Sequence, residues 1–195
     1  VGPDFPIFIR MAAYHDFEGG RTLEESKEIV RYLDELGIDA FDIDLGCYDS
    51  GRWLTPSIYT GEASMLEAAA EFRKVTNKPI FNAGMHTPES AEQAIADGKI
   101  DCAMFGRASI ADPDLPNKVW AGERDDVRPC LACNTYCSGH LVVNKPISCA
   151  VCLPFNMTFI YPTADKTAVK PPNDTGRNKI NHLFGGETRK RSLDR

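Results

Sequence analysis

The sequence predicts an α/β fold of parallel strands joined by crossover helices. Three observations predict it. Short β-type runs alternate with amphipathic helical stretches four times between residue 1 and about residue 122. The links between them are short. Each predicted strand ends in a polar or glycine-bearing loop, "RMAAYHDFEGG", "DLGCYDSGRW", "NAGMHT" and "FGRAS". Such a strand–helix alternation cannot close as hairpins, because parallel strands need a crossover between them.

Each element has its own signal. "PIFIRM" (6–11) reads as the first strand. "TLEESKEIVRYLDELG" (22–37) reads as a helix, with Thr22 and Glu25 as a capping box and Gly37 as its stop. "AFDIDL" (40–45) is the second strand and "ASMLEAAAEFRKVT" (63–76) the second helix. "PIFNAG" (79–84) is the third strand. "TPESAEQAIADG" (87–98) is a helix with Thr87 as N-cap, Pro88 in its first turn and Gly98 at its end. "CAMFG" (102–106) and "DPDLPNKVWAGE" (112–123) complete the set as a strand and a short helix opened by Asp112 and Pro113.

Four such units admit two architectures, a small doubly wound sheet or half of an eight-fold barrel. Both place chemistry in the loops at the carboxyl ends of the strands. No G-x-G-x-x-G follows any strand, which weakens the dinucleotide-fold reading. Gly84 after one strand and Gly106-Arg107 after the next suit a shared phosphate cradle; the alternative is that they only make tight turns.

Composition bounds the rest. The 195 residues carry a net charge of −6, which argues against a general nucleic-acid binder. No run reaches the roughly 18 apolar residues of a membrane span. The opening "VGPDFPIFIR" shows no export signal, and seven cysteines are an odd number. Together these point to a reducing, cytoplasmic setting rather than a disulfide framework. From residue 165 onward the local charge is +4, against −10 before it. Residues 153–195 show little periodicity and read as an irregular, disordered, solvated tail.

Four of the seven cysteines fall in a short stretch. "RPCLACNTYC" (128–137) holds Cys130, Cys133 and Cys137, and Cys149 comes later in "KPISCAVC". Thiolates spaced C-x2-C-x3-C can reach a common centre from one turn-rich segment, with Cys149 closing the coordination. Four sulfur ligands suit zinc or an iron–sulfur cluster. Three close cysteines plus a remote fourth favour a [4Fe–4S] cluster over paired zinc knuckles. The alternative, four unliganded thiols, gives their burial no motive, since little apolar sequence surrounds them. Cys47 and Cys102 read as packing residues, and Cys152 lies outside the pattern.

The segments "GRASIADPDLPNK", "RPCLACNTYC" and "KPISCAV", in that order, resemble the old yellow enzyme-like flavoproteins of the 2,4-dienoyl-CoA reductase and enoate reductase type. "DIDLGCYDS" is similar to a stretch of the clostridial enoate and bile-acid-type reductases of that group. The resemblance covers about residues 5–151. It implies the C-terminal half of a TIM (β/α)8 barrel carrying FMN (1–127), an irregular cysteine-rich [4Fe–4S] segment (128–152) and the tail (153–195). In such proteins an FAD- and NAD(P)-binding portion comes next, and electrons pass from NAD(P)H through FAD, cluster and FMN to the activated C=C bond of an unsaturated carbonyl substrate.

The resemblance also assigns residues. It implies that Arg10 lies near the flavin, that Gly84, Gly106 and Arg107 hold its phosphate, and that Cys130, Cys133, Cys137 and Cys149 hold the cluster. Tyr48 falls where dienoyl-CoA reductases carry an active-site histidine. A tyrosine there can donate a proton or hydrogen-bond the substrate carbonyl, or can simply pack at a strand end. Met85 stands where the family often has Arg or Lys. "CAVCLP" replaces the family's "CAVNP", and residues 155–195 do not resemble the family. The implied partners are the missing N-terminal half barrel and the FAD/NAD(P) domain, or a second copy of the chain, because four barrel strands alone leave an open face and two edges. The alternative function is a non-catalytic [4Fe–4S] or metal-binding electron-transfer module without flavin chemistry.

Overall fold

The computed structural model describes residue 2 and residues 4–152. The tail expected to be disordered therefore lies outside the described residues. Four strands form one parallel sheet in the order β1 (Phe8–Ala12), β2 (Ala40–Asp44), β3 (Ile80–Asn82) and β4 (Cys102–Ala103). Phe8 stands beside Ala40 and Ala12 beside Asp44; Asp42 stands beside Phe81, and Phe81 beside Cys102. The strand order runs straight through with no reversal. A doubly wound sheet would have a switch point, so the singly wound arrangement is the one adopted.

The first crossover helix, α1 (Leu23–Glu35), starts where its capping box requires. The Glu25 amide donates to Thr22 Oγ1 at 3.3 Å, and the Thr22 amide donates to Glu25 Oε2 at 2.7 Å. Gly37, at φ 90°, ends it in the left-handed region that a side chain would resist. After β2 a short 3-10 turn (Tyr48–Ser50) leads into a single helical turn, α2 (Gly51–Leu54). The helix expected over 63–76 is shorter, as α3 (Leu66–Ala70) continued by a 3-10 stretch, Glu71–Lys74. Its first residues are drawn away: the amides of Ala63 and Ser64 donate to the carbonyls of Met85 and Gly84 in the loop after β3.

Helix α4 (Pro88–Ala96) carries the expected Thr87 cap and first-turn proline, and Gly98 lies just beyond it at φ 69°. Two helices come after β4. α5 (Arg107–Ala111) has no counterpart among the sequence expectations, and α6 (Leu115–Ala121) starts three residues later than expected. Asp112 is the reason for the later start. It is buried, and its carboxylate accepts from the Asp114 amide, the Lys118 ammonium and the Arg128 amide, so it organises the turn rather than capping a helix. A last short helix, α7 (Ser138–Val142), lies inside the cysteine-rich segment.

The core lies on one face of the sheet. Phe41, Ile43 and Ile80 from the strands pack with Val30 of α1, Leu66 and Ala69 of α3 and Ala94 of α4 in a single cluster. The helices thus share a face, as same-handed crossovers in a sequential sheet dictate. The opposite face carries Phe8, Arg10, Asp42, Asp44, Phe81 and Cys102 by register. Phe8 and Phe81 meet there over β2, ring centroids 5.4 Å apart, yet Phe8 stays 58% exposed. Truncating the two faces should therefore differ. Phe41→Ala, at a fully buried ring, should cost about 3–5 kcal/mol in urea unfolding. Phe8→Ala should cost below about 1 kcal/mol.

Candidate functional site

The carboxyl ends of the strands open onto a cleft of about 610 Å³. Arg10, Asp44, Gly84, Gly106, Arg107 and Arg128 contribute to its walls. Parallel pairing is what brings them together, since every strand delivers its loop to the same end of the sheet.

Arg10 stands on the open face with its guanidinium against two carboxylates. It is ion-paired to Asp44 and, at 3.5 Å, to Asp42, its register neighbour on β2. Alternation along "FDID" places both aspartates on this face. Burial pushes both carboxyls up, and Arg10 opposes this in each. Asp42 Oδ1 is buried with no hydrogen-bond partner among the described residues.

Gly84 needs its lack of a side chain. Its φ is 119°, and a Cβ there would sit 3.0 Å from the Met65 side chain. Gly106 is different: its φ is negative, and a Cβ would meet nothing within 4 Å among the described residues. Arg107 stands at the start of α5. Its Nη1 donates to the Pro56 carbonyl and to Asn134 Oδ1. Asn134 Nδ2 in turn donates to the Thr55 carbonyl at 2.9 Å. Arg107 and Asn134 therefore tie the loop after β2 to the cysteine-rich segment.

A buried polar pair lies beside the glycine loop. Asn82 Nδ2 donates to the Ile43 carbonyl at 2.6 Å, which turns its Oδ1 toward His86 Nε2, 2.9 Å away. The His86 proton is therefore on Nε2, and Nδ1 keeps a lone pair, buried with no partner among the described residues. Burial holds this imidazole below its ordinary 6.5, with Glu62 pulling the other way.

Cys130, Cys133, Cys137 and Cys149 line one small cavity, walled also by Ile110 and Tyr136. Among the described residues no three His, Cys, Asp or Glu side chains converge on a point that would hold one metal ion. Ala132 and Asn134, which flank Cys133, have φ of 48° and 56°. The left-handed turn at Ala132 costs about 1–2 kcal/mol, and it bends the chain around the cavity. The Ala132 amide donates to Cys130 Sγ at 3.4 Å. Burial pushes the Cys130 thiol up; hydrogen bonds from Thr135 bring the Cys133 thiol down. Arg107 and Cys130 belong to the walls of both cavity and cleft.

The remaining sequence candidates fall elsewhere. Tyr48 is 94% exposed on the loop after β2 and is not among the residues lining the cleft, so the packing alternative does not hold for it. Cys47 is half-buried, its thiol against Ser50 Oγ at 3.3 Å, and Cys102 is half-buried in β4; Cys152 is fully buried. Asp42, Asp44, His86, Arg128 and Asn134 were not singled out by the sequence reading. The alternating aspartates in an otherwise apolar strand were a legible signal for the first two.

Residues 1–126 match the model of the NADH:flavin oxidoreductase / NADH oxidase family. The chain belongs to that family. An NADH oxidase of Thermoanaerobacter brockii is 37% identical over 153 residues, covering 77% of this chain and 24% of that protein. A cinnamate reductase of Clostridium sporogenes is 36% identical over 165 residues, covering 77% of this chain and 25% of that protein. Among solved structures, a 2-naphthoyl-CoA reductase in complex with 2-naphthoyl-CoA superposes with a TM-score of 0.72 at 34% identity, covering 77% of this chain and 23% of that one. The chain spans about a quarter of the length of the curated relatives it matches. No helix among the described residues is long and apolar enough to cross a membrane.

The buried His86 generates a pH dependence. Its folded pKa is depressed, so below 6.5 the unfolded chain binds more protons than the folded one. Stability is full above that value and falls as pH drops below it. His86→Gln keeps a donor for Asn82 and removes the titration. Urea unfolding between pH 7.5 and 5.5 should show a shallower loss for His86→Gln than for the natural chain.

Proposed function

We propose that this chain is part of an FMN- and [4Fe–4S]-dependent oxidoreductase that reduces an activated C=C bond with electrons from NAD(P)H. The observation that carries the reading is the shared wall: the cleft at the strand ends and the four-cysteine cavity meet at Arg107 and Cys130. The cleft volume falls within the roughly 300–1,000 Å³ of cofactor sites. The names of the relatives, an NADH oxidase and a cinnamate reductase, support the reaction class and an enoate, enone or enoyl-CoA substrate.

FMN in this cleft would supply hydride transfer, and a cluster in the cavity single-electron transfer. The chain's own groups hold and orient. The Gly84 and Gly106 loops let a phosphate approach the backbone, and Arg107 offers guanidinium donors beyond the nitrogen it commits to Pro56 and Asn134. Arg10, fixed by Asp42 and Asp44, would offer guanidinium hydrogen-bond donors to a flavin bound at the open face. Tyr48 stands exposed outside the cleft walls, so the donor role proposed for it is toward a substrate carbonyl that reaches beyond the cleft.

A cluster rather than a single zinc is the proposed occupant, on the spacing of three close cysteines and a remote fourth around one cavity. Zinc requires its sulfurs about 2.3 Å from one point, whereas a cubane spreads them over four irons. The Ala132 amide would then donate to a coordinated sulfur, a contact that tunes such centres. The open face bearing Phe8 and Arg10 is where we propose that a further barrel half packs; the FAD and NAD(P) portion and the cytoplasmic setting rest on the family resemblance and the cysteine usage alone.

Anaerobically purified chain should carry about four iron and four sulfide. Cys133→Ala should lose most of both. Cys152→Ala should keep them, because that buried side chain lies outside the cavity walls. Equal loss from the two substitutions would refute the ligand set. Flavin absorbance decides the rest: iron and sulfide with no flavin uptake would leave an electron-transfer module without flavin chemistry.

A further inference from the structure

We infer that Arg128 is a second phosphate-binding cation of the cleft, acting with Arg107 on the terminal phosphate of a mononucleotide. The inference rests on the flavin reading above and adds a binding residue to it.

Four arginines line the cleft: Arg10, Arg107, Arg124 and Arg128. Two are already neutralised. Arg10 faces Asp42 and Asp44, and Arg124 faces Glu89 and Glu92. The other two contact neutral acceptors among the described residues. Arg107 donates to the Pro56 carbonyl and the Asn134 amide oxygen. Arg128 Nη1 donates to the Ala111 carbonyl at 3.1 Å. Asp112 lies close to Arg128, but it takes the backbone amide at 2.8 Å, and its charge is met by Lys118 at 2.7 Å. Two acids of the cleft wall are paired with cations, Asp44 with Arg10 and Glu89 with Arg124, while Glu62 accepts from the neutral Thr87 Oγ1 and keeps its charge beside His86. The cleft cations with no carboxylate partner among the described residues are therefore Arg107 and Arg128.

Their charge matches a phosphomonoester. Such a group carries about −1.5 to −2 near neutral pH, so one cation would leave it half-neutralised. Arg128 is also held in place. Its amide and its Nη1 both bond to the end of α5, at Asp112 and Ala111, and its Nε and Nη2, with no partner among the described residues, form a planar fork. The loop after β3 cannot supply the charge, because Met85 is apolar.

The test compares FMN with riboflavin, which lacks the phosphate, by titrating each into the 195-residue chain and monitoring flavin fluorescence. The natural chain should bind FMN more tightly than riboflavin. Arg128→Gln should weaken FMN about ten- to hundredfold and leave riboflavin within about twofold, and Arg128→Lys should recover part of the loss. Equal FMN affinity in Arg128→Gln, or a parallel loss of FMN and riboflavin, would reduce Arg128 to an anchor of the cysteine-rich segment. If the natural chain binds neither flavin, the flavin reading itself fails and takes this inference with it. A measurement on the natural chain covers the case in which Arg128→Gln does not fold. On adding inorganic phosphate, the Arg128 Nε–H resonance should shift while that of the carboxylate-paired Arg124 stays put. An Arg128 resonance indifferent to phosphate overturns the assignment.

Discussion

Parallel strands cannot be joined by a tight turn, so each link in this sheet has to climb back through helical structure before the next strand begins. That constraint arranges nearly everything else. With β1 to β4 in sequential order and their helices packed on one face, the carboxyl ends of all four strands gather at one edge. Arg10 arrives from β1, Asp44 from β2, Gly84 and His86 from the loop after β3, and Gly106 and Arg107 from the loop after β4. About twenty residues of further chain, α5, α6 and the turn around Asp112, then suffice to bring Cys130 back to the same cleft.

The face opposite the helices obeys a different logic. A strand buried on both sides is normally apolar. Yet β2 is buried along its whole length and still carries Asp42 and Asp44. Desolvation works against both carboxylates, and a single half-exposed guanidinium offsets it only in part. A chain selected for stability alone would place valine or isoleucine there. The aspartates make sense as the means of holding Arg10 on the open face, at the cost of some folding free energy.

Much of this was legible in the sequence, for reasons that differ by element. The capping box at Thr22 and Glu25 and the Thr87-Pro88 start are local signals, and local hydrogen bonds decided them. Parallel pairing came from the strand–helix alternation. The features that escaped depend on contacts between distant segments. The 63–76 helix was shortened because Ala63 and Ser64 bond across to the loop after β3. The helix at 112 was delayed because Asp112 serves Lys118 and Arg128 instead of a cap. Arg128 and Asn134 carried no signal of their own. Their partners, Ala111 and Thr55, lie 17 and 79 residues away along the chain. The spacing of the cysteines was plain, but not that the amide of Ala132 would turn onto Cys130.

Arg107 shows why the cleft and the cysteine cavity cannot be considered separately. One nitrogen of its guanidinium is taken by the loop after β2 and by Asn134, and Asn134 holds the left-handed turn next to Cys133. A left-handed turn at Ala132 and another at Asn134 carry a conformational cost, and tertiary bonds of this kind are what keep them in place. An anion that fixes Arg107 from the cleft side therefore also fixes Asn134 and the bend that carries Cys133. The relation is reciprocal: whatever orders the four thiols restrains Asn134, and through it the guanidinium that faces the cleft.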